Sequence, residues 1–397
     1  MKPNPIRIVH MGRMDALGGV ERLLQAFVDV PDAELSHVLM PTGRRIHSQL
    51  RPQDRSIPVR YTRYAAGFRL PRILRPAWRN RALRRLAPDV VSFWGYPTTD
   101  HDRMAFPERA LLVYQEHGSA WDMATTERRK TFLSRVDRVV ACSRAAKRML
   151  ELRWNCATPI RIVRNPLPAH VRPPENSRPK SLPENRPVRL GTVGRLVPYK
   201  AQALAVLTLA ELRNRGADAE LRLLGSGPTE KPLRHLVRKL NLRDVVRFLE
   251  TTSDVSGFYA ETDLLLHLPV REPLGLVAVE AEAMGLPVVA TNVDGLPEAV
   301  GDGTSGRCVE PTLRRPDYLQ LVGPAFDGTF PEAVYSPRND ALAEPLAVEP
   351  ARAAEAVLEL LASPAAYEAA SQSAIEKART DFPFPAYRQR LKQALLP

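Results

Sequence analysis

Two series of short apolar runs, each run followed by a stretch with helical periodicity, constrain the fold of this chain most. The first series opens with Ile6-Arg7-Ile8-Val9, and apolar residues then recur at positions 20, 23, 24 and 27. That spacing is typical of a helix with one buried face. The second series opens at Val188-Arg189-Leu190 and continues through runs at 221–224, 245–249, 264–267 and 287–290. Strands that alternate with helices predict an α/β fold with parallel sheets covered on both faces.

A proline-rich stretch separates the two series. Residues 172–187 hold five prolines and almost no apolar side chains, a composition typical of a linker. We therefore expect an N-terminal domain over 1–171 and a C-terminal domain over 188–375. Within the second domain, residues 312–350 are rich in proline and lack clear periodicity. They predict a surface insertion, because they offer too little apolar area for a core of their own.

The two halves of the chain also differ in net charge. The net charge is +13, with an isoelectric point of about 9.9. Residues 1–185 hold 33 basic and 17 acidic side chains, a net charge of +16, whereas the remainder carries −3. A basic half of this kind can face nucleic acid, an anionic membrane or a phosphate-bearing substrate, and composition does not choose among them.

Other features narrow the class of protein. No apolar run is long enough for a membrane span, and the first ten residues contain no apolar stretch typical of a secretory signal. The three cysteines, Cys142, Cys156 and Cys308, do not form an even set, and no Cys/His spacing fits zinc. We expect reduced cysteines and a cytoplasmic location.

The densest chemical signal lies where a buried strand, a loop and a helix follow one another. The strand ends near Leu268, the loop carries Glu272, Leu274 and Gly275, and the helix carries Glu280. A helix N-terminus offers N–H groups and a partial positive charge that suit a phosphate, and glycine lets the phosphate approach the backbone. A carboxylate one to two turns further along can accept hydrogen bonds from a ribose diol. The alternative is an ordinary helix with two solvated glutamates.

Several motifs, in chain order, resemble one family. Glu272 and Glu280, eight residues apart, resemble the E-x7-E motif of the retaining glycosyltransferases of family 4, which have the GT-B fold. Other stretches agree with that family, namely residues 17–21, 140–144, 163–166, 194–196 with Lys200, and 224–228. The resemblance covers nearly the whole chain and is strongest over 188–310.

The resemblance implies two Rossmann-like domains that face each other across a cleft, with the final helix, 376–397, returning to the N-terminal domain. It implies transfer of a hexose-type sugar from a nucleoside diphosphate, with retention of configuration and without a bound metal or other cofactor. The residues expected to bind the nucleotide sugar are Gly18, Gly19, Gly194, Arg195, Lys200, Phe248, Leu249, Glu272, Leu274, Gly275, Leu276 and Glu280. The residues expected to act in the transfer are His117, Arg195, Lys200 and Glu272.

These roles have a physical basis, and each has an alternative. Arg195 and Lys200 follow a strand and could supply two fixed cations that stabilise a diphosphate leaving group; the alternative is two surface cations. Gly18 and Gly19 lie where the first strand turns into its helix, so they form either a phosphate or sugar contact or a plain tight turn. His117 follows an apolar strand, where the family has a histidine near the sugar; the alternative is a packed or capping residue.

One acidic motif is discounted. Asp100-His101-Asp102 spells the D-x-D pattern that binds a metal in another glycosyltransferase fold. Here it occupies a polar stretch, and GT-B enzymes generally need no bound metal, so we expect no metal site.

One basic segment carries apolar side chains between its arginines. Its expected contact residues are Arg69, Arg72, Arg75, Trp78, Arg79, Arg81, Arg84 and Arg85. Such a segment suits the headgroup region of an anionic membrane or a phosphorylated glycolipid; the alternative is a solvated helix. Nucleic acid is not expected as a partner, because no DNA- or RNA-binding motif accompanies the charge.

The sequence therefore predicts a glycosyltransferase at the inner face of the cytoplasmic membrane. Its acceptor would be a glycolipid or polysaccharide of the cell envelope, such as a lipopolysaccharide core or O-chain. Two alternatives stay open. A nucleotide-sugar epimerase of the same fold would need no basic acceptor face. A non-enzymatic polyanion-binding protein would explain the basic charge but not the context of Glu272 and Glu280, and its binding should collapse with added salt.

Overall fold

Two compact units make up the chain. The computed structural model describes residues 4–16, 18–65, 67–95, 105–121, 127–171, 173, 178–252, 254–328 and 330–396. The N-terminal unit comprises Met1–Arg164 together with Pro385–Pro397, and the C-terminal unit comprises Asn165–Phe384. Each unit is built on a six-stranded parallel sheet, as the alternation of strands and helices predicts. The described residues include no helix long and apolar enough to cross a membrane.

The sheet of the N-terminal unit places its first strand near the centre. The strands are β1 (Ile6–Gly12), β2 (Leu35–Pro41), β5 (Val90–Trp94), β6 (Leu111–Glu116), β7 (Arg138–Ala141) and β8 (Ile160–Ile162), and β3 (Tyr64–Ala65) and β4 (Phe68–Arg69) form a separate antiparallel pair. The order is β2-β1-β5-β6-β7-β8. The strand order therefore reverses between β1 and β5, and such a switch point is where sheets of this kind bind ligands at the carboxyl ends of the strands.

The helices of this unit include one whose buried face the sequence predicts. They are α1 (Gly19–Asp29), α2 (Arg75–Leu86), α3 (Glu127–Leu133) and α4 (Arg144–Trp154). The apolar stripe of α1, including Leu23, Leu24 and Phe27, is buried. Helix α4 begins where the Ser143 hydroxyl accepts a hydrogen bond from the amide of Ala146, which satisfies one of the first amides of the helix.

The C-terminal unit repeats this architecture. Its strands are β9 (Val188–Val193), β10 (Ala219–Leu224), β11 (Val246–Leu249), β12 (Leu264–His267), β13 (Val288–Thr291) and β14 (Gly306–Val309), and β15 (Val334–Ser336) and β16 (Ala341–Ala343) form a hairpin. Its helices are α5 (Ala203–Asn214), α6 (Glu230–Lys239), α7 (Ser256–Ala260), α8 (Leu276–Ala283), α9 (Leu296–Ala299), α10 (Arg315–Val322), α11 (Pro350–Leu360) and α12 (Pro364–Asp381). The strand order is β11-β10-β9-β12-β13-β14, so the switch point lies between β9 and β12.

Residues 312–350 differ from the predicted surface insertion. Tyr318, Phe326, Ala347 and Val348 are buried in the main core of the C-terminal unit. The backbone of Leu313 also exchanges two hydrogen bonds with Ala347, which closes this segment onto itself. Periodicity missed this contribution, because the buried apolar residues are scattered through turns and short elements and do not share one helix face.

The predicted linker, 172–187, is fixed to the C-terminal unit where it is described. The Lys180 ammonium donates to three carbonyl oxygens at the end of α7, including that of Tyr259 at 2.9 Å. Arg186 pairs with both carboxylate oxygens of Asp263, at 2.6 and 2.8 Å. The units divide earlier than the sequence predicts, at Arg164, since the backbone of Leu167 already bonds within the C-terminal unit. Two cations thus fix this polar, proline-rich segment, together with hydrogen bonds from the Lys180 amide and the Ser181 hydroxyl.

The last two helices belong to different units. The predicted segment 376–397 contains the end of α12, in the C-terminal unit, and all of α13 (Phe384–Leu395). Pro383 separates the two helices, because proline cannot continue a helix from its interior. In the N-terminal unit, Arg388 and Lys392 both pair with Asp32 at 3.0 Å. These ion pairs hold α13 against the start of β2.

Candidate functional site

The strongest candidate site lies in the C-terminal unit, at the carboxyl ends of β9 and β12. Arg195 and Lys200 follow β9, and the loop after β12 carries Glu272 and leads into α8. Gly275 precedes the first residue of α8 with a φ of 97°, a backbone conformation that favours glycine. A Cβ there would approach Leu296 to 2.6 Å, so a side chain has no room. The predicted strand, loop and helix are therefore present, with the helix N-terminus at the switch point.

Glu272 is buried between a cation and an imidazole. Its Oε2 pairs with the Lys200 ammonium and lies 3.1 Å from Nε2 of His267. Burial by itself would raise the pKa of Glu272, but Lys200 and the hydrogen bond from His267 hold that pKa well below its usual range. Burial lowers the pKa of His267, despite the hydrogen bond to Glu272. His267 is therefore neutral at pH 7, and its Nε2–H donates to an ionised Glu272.

Tyr199 gathers two further cations beside this pair. Its hydroxyl accepts a hydrogen bond from Nη2 of Arg195 at 2.6 Å, and its ring faces the guanidinium of Arg271 at 4.7 Å from the centroid. The carbonyl of Tyr199 accepts from the amide of Val270, which joins this turn to the loop after β12. The predicted pair of cations thus becomes three, and Tyr199, Arg271 and His267 are site residues that the motifs did not single out.

Glu280 is also oriented by a residue that the sequence analysis missed. The buried hydroxyl of Tyr259, on α7, donates to Oε2 of Glu280 at 2.7 Å. Burial and the Glu280 carboxylate raise the pKa of Tyr259 well above its usual range, so the phenol stays protonated. A fixed donor on one oxygen orients the carboxylate on α8. No motif signals this contact, because Tyr259 lies on a short helix 21 residues earlier in the chain.

The other residues of the C-terminal unit that are predicted to bind the donor lie on several different elements. Gly194 follows β9 with a φ of 137°, and Leu274 is buried, whereas Leu276 is partly exposed at the start of α8. Phe248 and Leu249 lie on β11, the edge strand of the sheet. The Phe248 ring packs against the core with the Arg234 guanidinium 4.1 Å from its centroid. In the sheet, β10 therefore separates Phe248 from β9, the strand that leads to Lys200.

The N-terminal unit holds the predicted glycines and His117 at the ends of its own strands. Gly18 and Gly19 begin α1, and neither has a positive φ. Nothing lies within 4 Å of a Cβ built on Gly19, so the backbone at this helix start is open to close approach. His117 follows β6, and its ring stacks on that of Trp94 with centroids 5.8 Å apart. The Glu116 carboxylate accepts from the amides of Gly118 and Ala120, which fixes this loop.

The basic segment is only partly a surface. Arg75 and Arg79 are 6% and 1% exposed, which corrects their predicted role as contact residues. They share the buried face of α2 with Leu83, and Arg75 donates to the carbonyl of Leu70 at 3.0 Å. A long arginine can occupy such a face because its carbon stem is apolar and its donors reach carbonyls.

The outer face of this segment combines exposed apolar and basic side chains. Phe68 and Ile73 are 80% and 84% exposed, and Leu74 and Trp78 are also exposed. We call these four, with the exposed Arg69, Arg72, Arg81, Arg84 and Arg85, the basic–apolar surface. Phe68 precedes the basic segment, on β4, and is not among the predicted contact residues. Large exposed apolar side chains that cluster indicate an interaction surface.

Metal binding has no candidate in the part of the chain that the structure describes. No group of three His, Cys, Asp or Glu side chains there could hold a metal ion. The Asp100-His101-Asp102 motif lies outside the described residues, so the expectation of a metal-free site stays a prediction.

Two family models match adjacent parts of the chain. The model described as Glycosyltransferase Family 4 matches residues 17–170, and the model described as Glycosyl transferases group 1 matches residues 174–319. Together they cover about three quarters of the chain. The second match contains Arg195, Lys200, Glu272 and Glu280.

Named relatives align over a shorter stretch. The D-inositol 3-phosphate glycosyltransferase of Corynebacterium glutamicum is 36% identical over 126 residues, which are 30% of this chain and 30% of that protein. The GDP-mannose-dependent alpha-(1-6)-phosphatidylinositol monomannoside mannosyltransferase of Mycolicibacterium smegmatis is 32% identical over 171 residues, 41% of this chain and 40% of that one. These alignments span less than half the length of either relative.

A solved structure shares the fold over the whole chain. Anabaena Alr3699/HepE, solved in complex with UDP and glucose, matches with a TM-score of 0.70. The match covers 98% of this chain and 99% of that one at 17% identity. At this identity the likeness shows a common fold.

Proposed function

Because the chain belongs to the group 1 glycosyltransferases and has their GT-B fold, we propose that it transfers a hexose-type sugar from a nucleoside diphosphate to a membrane-associated glycan. Configuration at the anomeric carbon is retained in this proposal, as the resemblance to family 4 implies. The acceptor is a cell-envelope glycan, such as a lipopolysaccharide core or O-chain. The enzyme works at the inner face of the cytoplasmic membrane.

One observation carries the donor half of this proposal. Lys200 pairs with the buried Glu272, and the neighbouring Tyr199 contacts both Arg195 and Arg271. The loop of Glu272 leads into α8, which carries the buried Glu280. Fixed cations beside a helix N-terminus suit a diphosphate. A carboxylate oriented further along the helix suits the two hydroxyls of a ribose. We assign the diphosphate to the cations and the ribose to Glu280.

The cations also account for catalysis. As the bond from the sugar to the diphosphate breaks, negative charge grows on the leaving phosphate. Arg195 and Lys200 stabilise that charge more strongly in the transition state than in the bound donor, because they are already held in place by Tyr199 and Glu272. The cations lower the barrier without a metal ion in this proposal.

Glu272 has a different role from a general acid. Its pKa lies well below the usual range, so it carries no proton to give at pH 7. We assign it to accept hydrogen bonds from hydroxyls of the transferred sugar while it keeps Lys200 in position. His117, in the N-terminal unit, serves the sugar and acceptor, as the family resemblance implies, and is not assigned as a general base.

The basic–apolar surface supports the acceptor half of the proposal. Phe68, Ile73, Leu74 and Trp78 would enter the headgroup region, and the surrounding arginines would pair with anionic lipids. The mannosyltransferase of Mycolicibacterium smegmatis, a relative over part of the chain, is named for a phosphatidylinositol monomannoside acceptor. We therefore propose that the N-terminal unit meets its acceptor at an anionic membrane surface.

A sugar-transfer assay tests the reaction. The protein is incubated with UDP-glucose, GDP-mannose or ADP-glucose and a cell-envelope glycolipid extract. We expect nucleoside diphosphate release in equal amount to sugar found in the lipid fraction, with an α-linkage from an α-donor by NMR. Arg195→Ala should reduce release at least tenfold, whereas Arg352→Ala, an exposed arginine on α11, should not. An epimerised nucleotide sugar formed without acceptor would instead identify an epimerase.

A vesicle assay tests the membrane contact separately. The protein should sediment with vesicles containing phosphatidylglycerol and much less with pure phosphatidylcholine. Phe68→Ser and Ile73→Ser should each weaken that binding by about tenfold, because each removes one apolar side chain from the lipid interface. The matched control is Leu321→Ser, an exposed leucine of the C-terminal unit. Equal losses in all three variants would contradict the proposed surface.

A further inference from the structure

Asp294 connects the Glu272 loop to a hairpin that lies outside the family motifs. It follows β13, is buried, and has a φ of 50°, in the left-handed region that few residues other than glycine adopt. Its Oδ2 accepts from the amide of Glu272 at 3.0 Å, and its Oδ1 accepts from the amide of Tyr335 at 2.7 Å. One carboxylate thus joins two segments that are 63 residues apart in the chain.

The turn that carries Asp294 holds the backbone of Glu272 at both of its polar groups. The Glu272 amide donates to Asp294, and the Glu272 carbonyl accepts from the amide of Gly295 at 3.1 Å. Gly295 permits this approach, because a Cβ there would lie 2.1 Å from the carbonyl oxygen of Pro273. The direction in which the Glu272 side chain leaves the backbone therefore depends on this turn.

The hairpin β15–β16 holds Asp294 in turn. Besides donating to Oδ1, Tyr335 on β15 accepts a hydrogen bond from the Asp294 amide at 3.0 Å. This pair of contacts, one through the side chain and one through the backbone, explains how a non-glycine residue persists at this φ. Residues 312–350 thereby reach the site through β15, in addition to filling the core.

We infer that Asp294 is a positioning residue for Glu272 and that the β15–β16 hairpin sets its position. The inference rests on the proposed function, since it treats Glu272 as a donor-binding carboxylate. The chemistry requires an aspartate, because only a carboxylate offers two oxygens that each accept an N–H. In Asp294→Asn, one of the two amides would instead face an NH2 group, and that contact would be lost.

A matched pair of variants tests this inference. Asp294→Asn and Asp244→Asn remove the same charge from the same residue type, and Asp244 is an exposed aspartate just before β11. The donor is UDP-glucose, GDP-mannose or ADP-glucose, whichever binds the wild type. Asp294→Asn should raise the donor KM or Kd about tenfold and leave the acceptor KM unchanged. Asp244→Asn should leave both unchanged.

Two further measurements separate positioning from a general loss of stability. Hydrogen exchange of the peptide covering 268–277 should be faster in Asp294→Asn than in the wild type and Asp244→Asn, without added nucleotide. In a Glu272→Gln background, Asp294→Asn should weaken donor binding by less than twofold, since the positioned carboxylate is gone.

Three results would overturn the inference: unchanged donor affinity in Asp294→Asn, an unchanged exchange rate, or a full tenfold effect in the Glu272→Gln background. Failure of the proposed function gives a different result. In that case no donor binds the wild type, so Asp294 cannot position Glu272 for a donor. The exchange rates still report whether Asp294 holds the loop.

Discussion

Replacing Lys200 with methionine would remove the cation that faces Glu272 while keeping a side chain of similar length. The Glu272 side chain is 12% exposed and that of Lys200 is 18% exposed, so water screens the pair little. The other partner of Glu272 is His267, which is neutral at pH 7 because burial lowers its pKa. Lys200→Met therefore leaves a buried carboxylate without a compensating charge.

The cost of that uncompensated charge can be given a magnitude. Removing one partner of a buried ion pair typically costs about 3–5 kcal/mol. For a unit of this size, such a loss lowers Tm by roughly 6–20 °C. Replacing Glu272 by glutamine in the same chain removes the unpaired negative charge. The double variant Lys200→Met/Glu272→Gln should therefore recover most of the lost stability. Lys231→Met, which removes an exposed lysine on α6, should melt like the wild type.

Acid should reduce the difference in Tm between Lys200→Met and the wild type. The folded-state pKa of Glu272 lies below its value in the unfolded chain, so the contribution of the pair is present at neutral pH. It is lost only as the pH falls below the usual range of a glutamate, about pH 4. Thermal melts at pH 7 and about pH 3 measure both effects. A Lys200→Met melt equal to the wild type at pH 7, or a double variant no more stable than Lys200→Met, would refute this electrostatic reasoning.

Three further predictions concern other parts of the C-terminal unit. Tyr259→Phe removes the donor to Glu280 and should weaken nucleoside diphosphate binding about tenfold by calorimetry, with a near-normal melt; unchanged binding would exclude an orienting role. Gly295→Ala should abolish sugar transfer and lower Tm by several degrees, because its Cβ has no room, whereas Gly257→Ala, with open space around its Cβ, should be neutral in both assays. Glu282 is buried on α8, and burial raises its pKa to about 7. The folded protein therefore holds this proton more tightly than the unfolded chain does. As a result, the free energy of unfolding falls by about 3 kcal/mol as the pH rises from 4.5 through 7. Glu282→Gln should remove that fall, measured as the difference in Tm between pH 5 and pH 8, and an equal fall in both proteins would contradict the assignment.

The features predicted correctly from the sequence are those encoded by neighbouring residues. The strand that ends at His267, the loop with Gly275 and the helix with Glu280 lie in one continuous stretch, so strand length and a glycine at the helix start indicate them directly. The resemblance to family 4 added Arg195 and Lys200. Both kinds of evidence are local in the chain, and the structure brings Lys200 and Glu272 together as an ion pair.

The features that the sequence did not predict depend on contacts between distant segments. Tyr259 reaches Glu280 across 21 residues, and Tyr335 reaches Asp294 across 41. No periodicity or motif records such pairs, since each depends on how separate elements pack. The basic segment shows the opposite error, because Arg75 and Arg79 were counted as surface charges from composition alone. Their place on the buried face of α2 follows from helix phase, and the carbonyl of Leu70 receives the Arg75 guanidinium.

Calorimetric titration of the full chain with UDP, GDP and ADP tests the central claim most directly. The claim is that the C-terminal unit binds the donor nucleotide through the cations beside Tyr199 and the carboxylate of Glu280. The salt concentration should be high enough to suppress nonspecific anion binding. The account predicts saturable one-to-one binding of one nucleotide, lost in Glu280→Ala. Absence of binding to all three, or equal binding by Glu280→Ala, would contradict it.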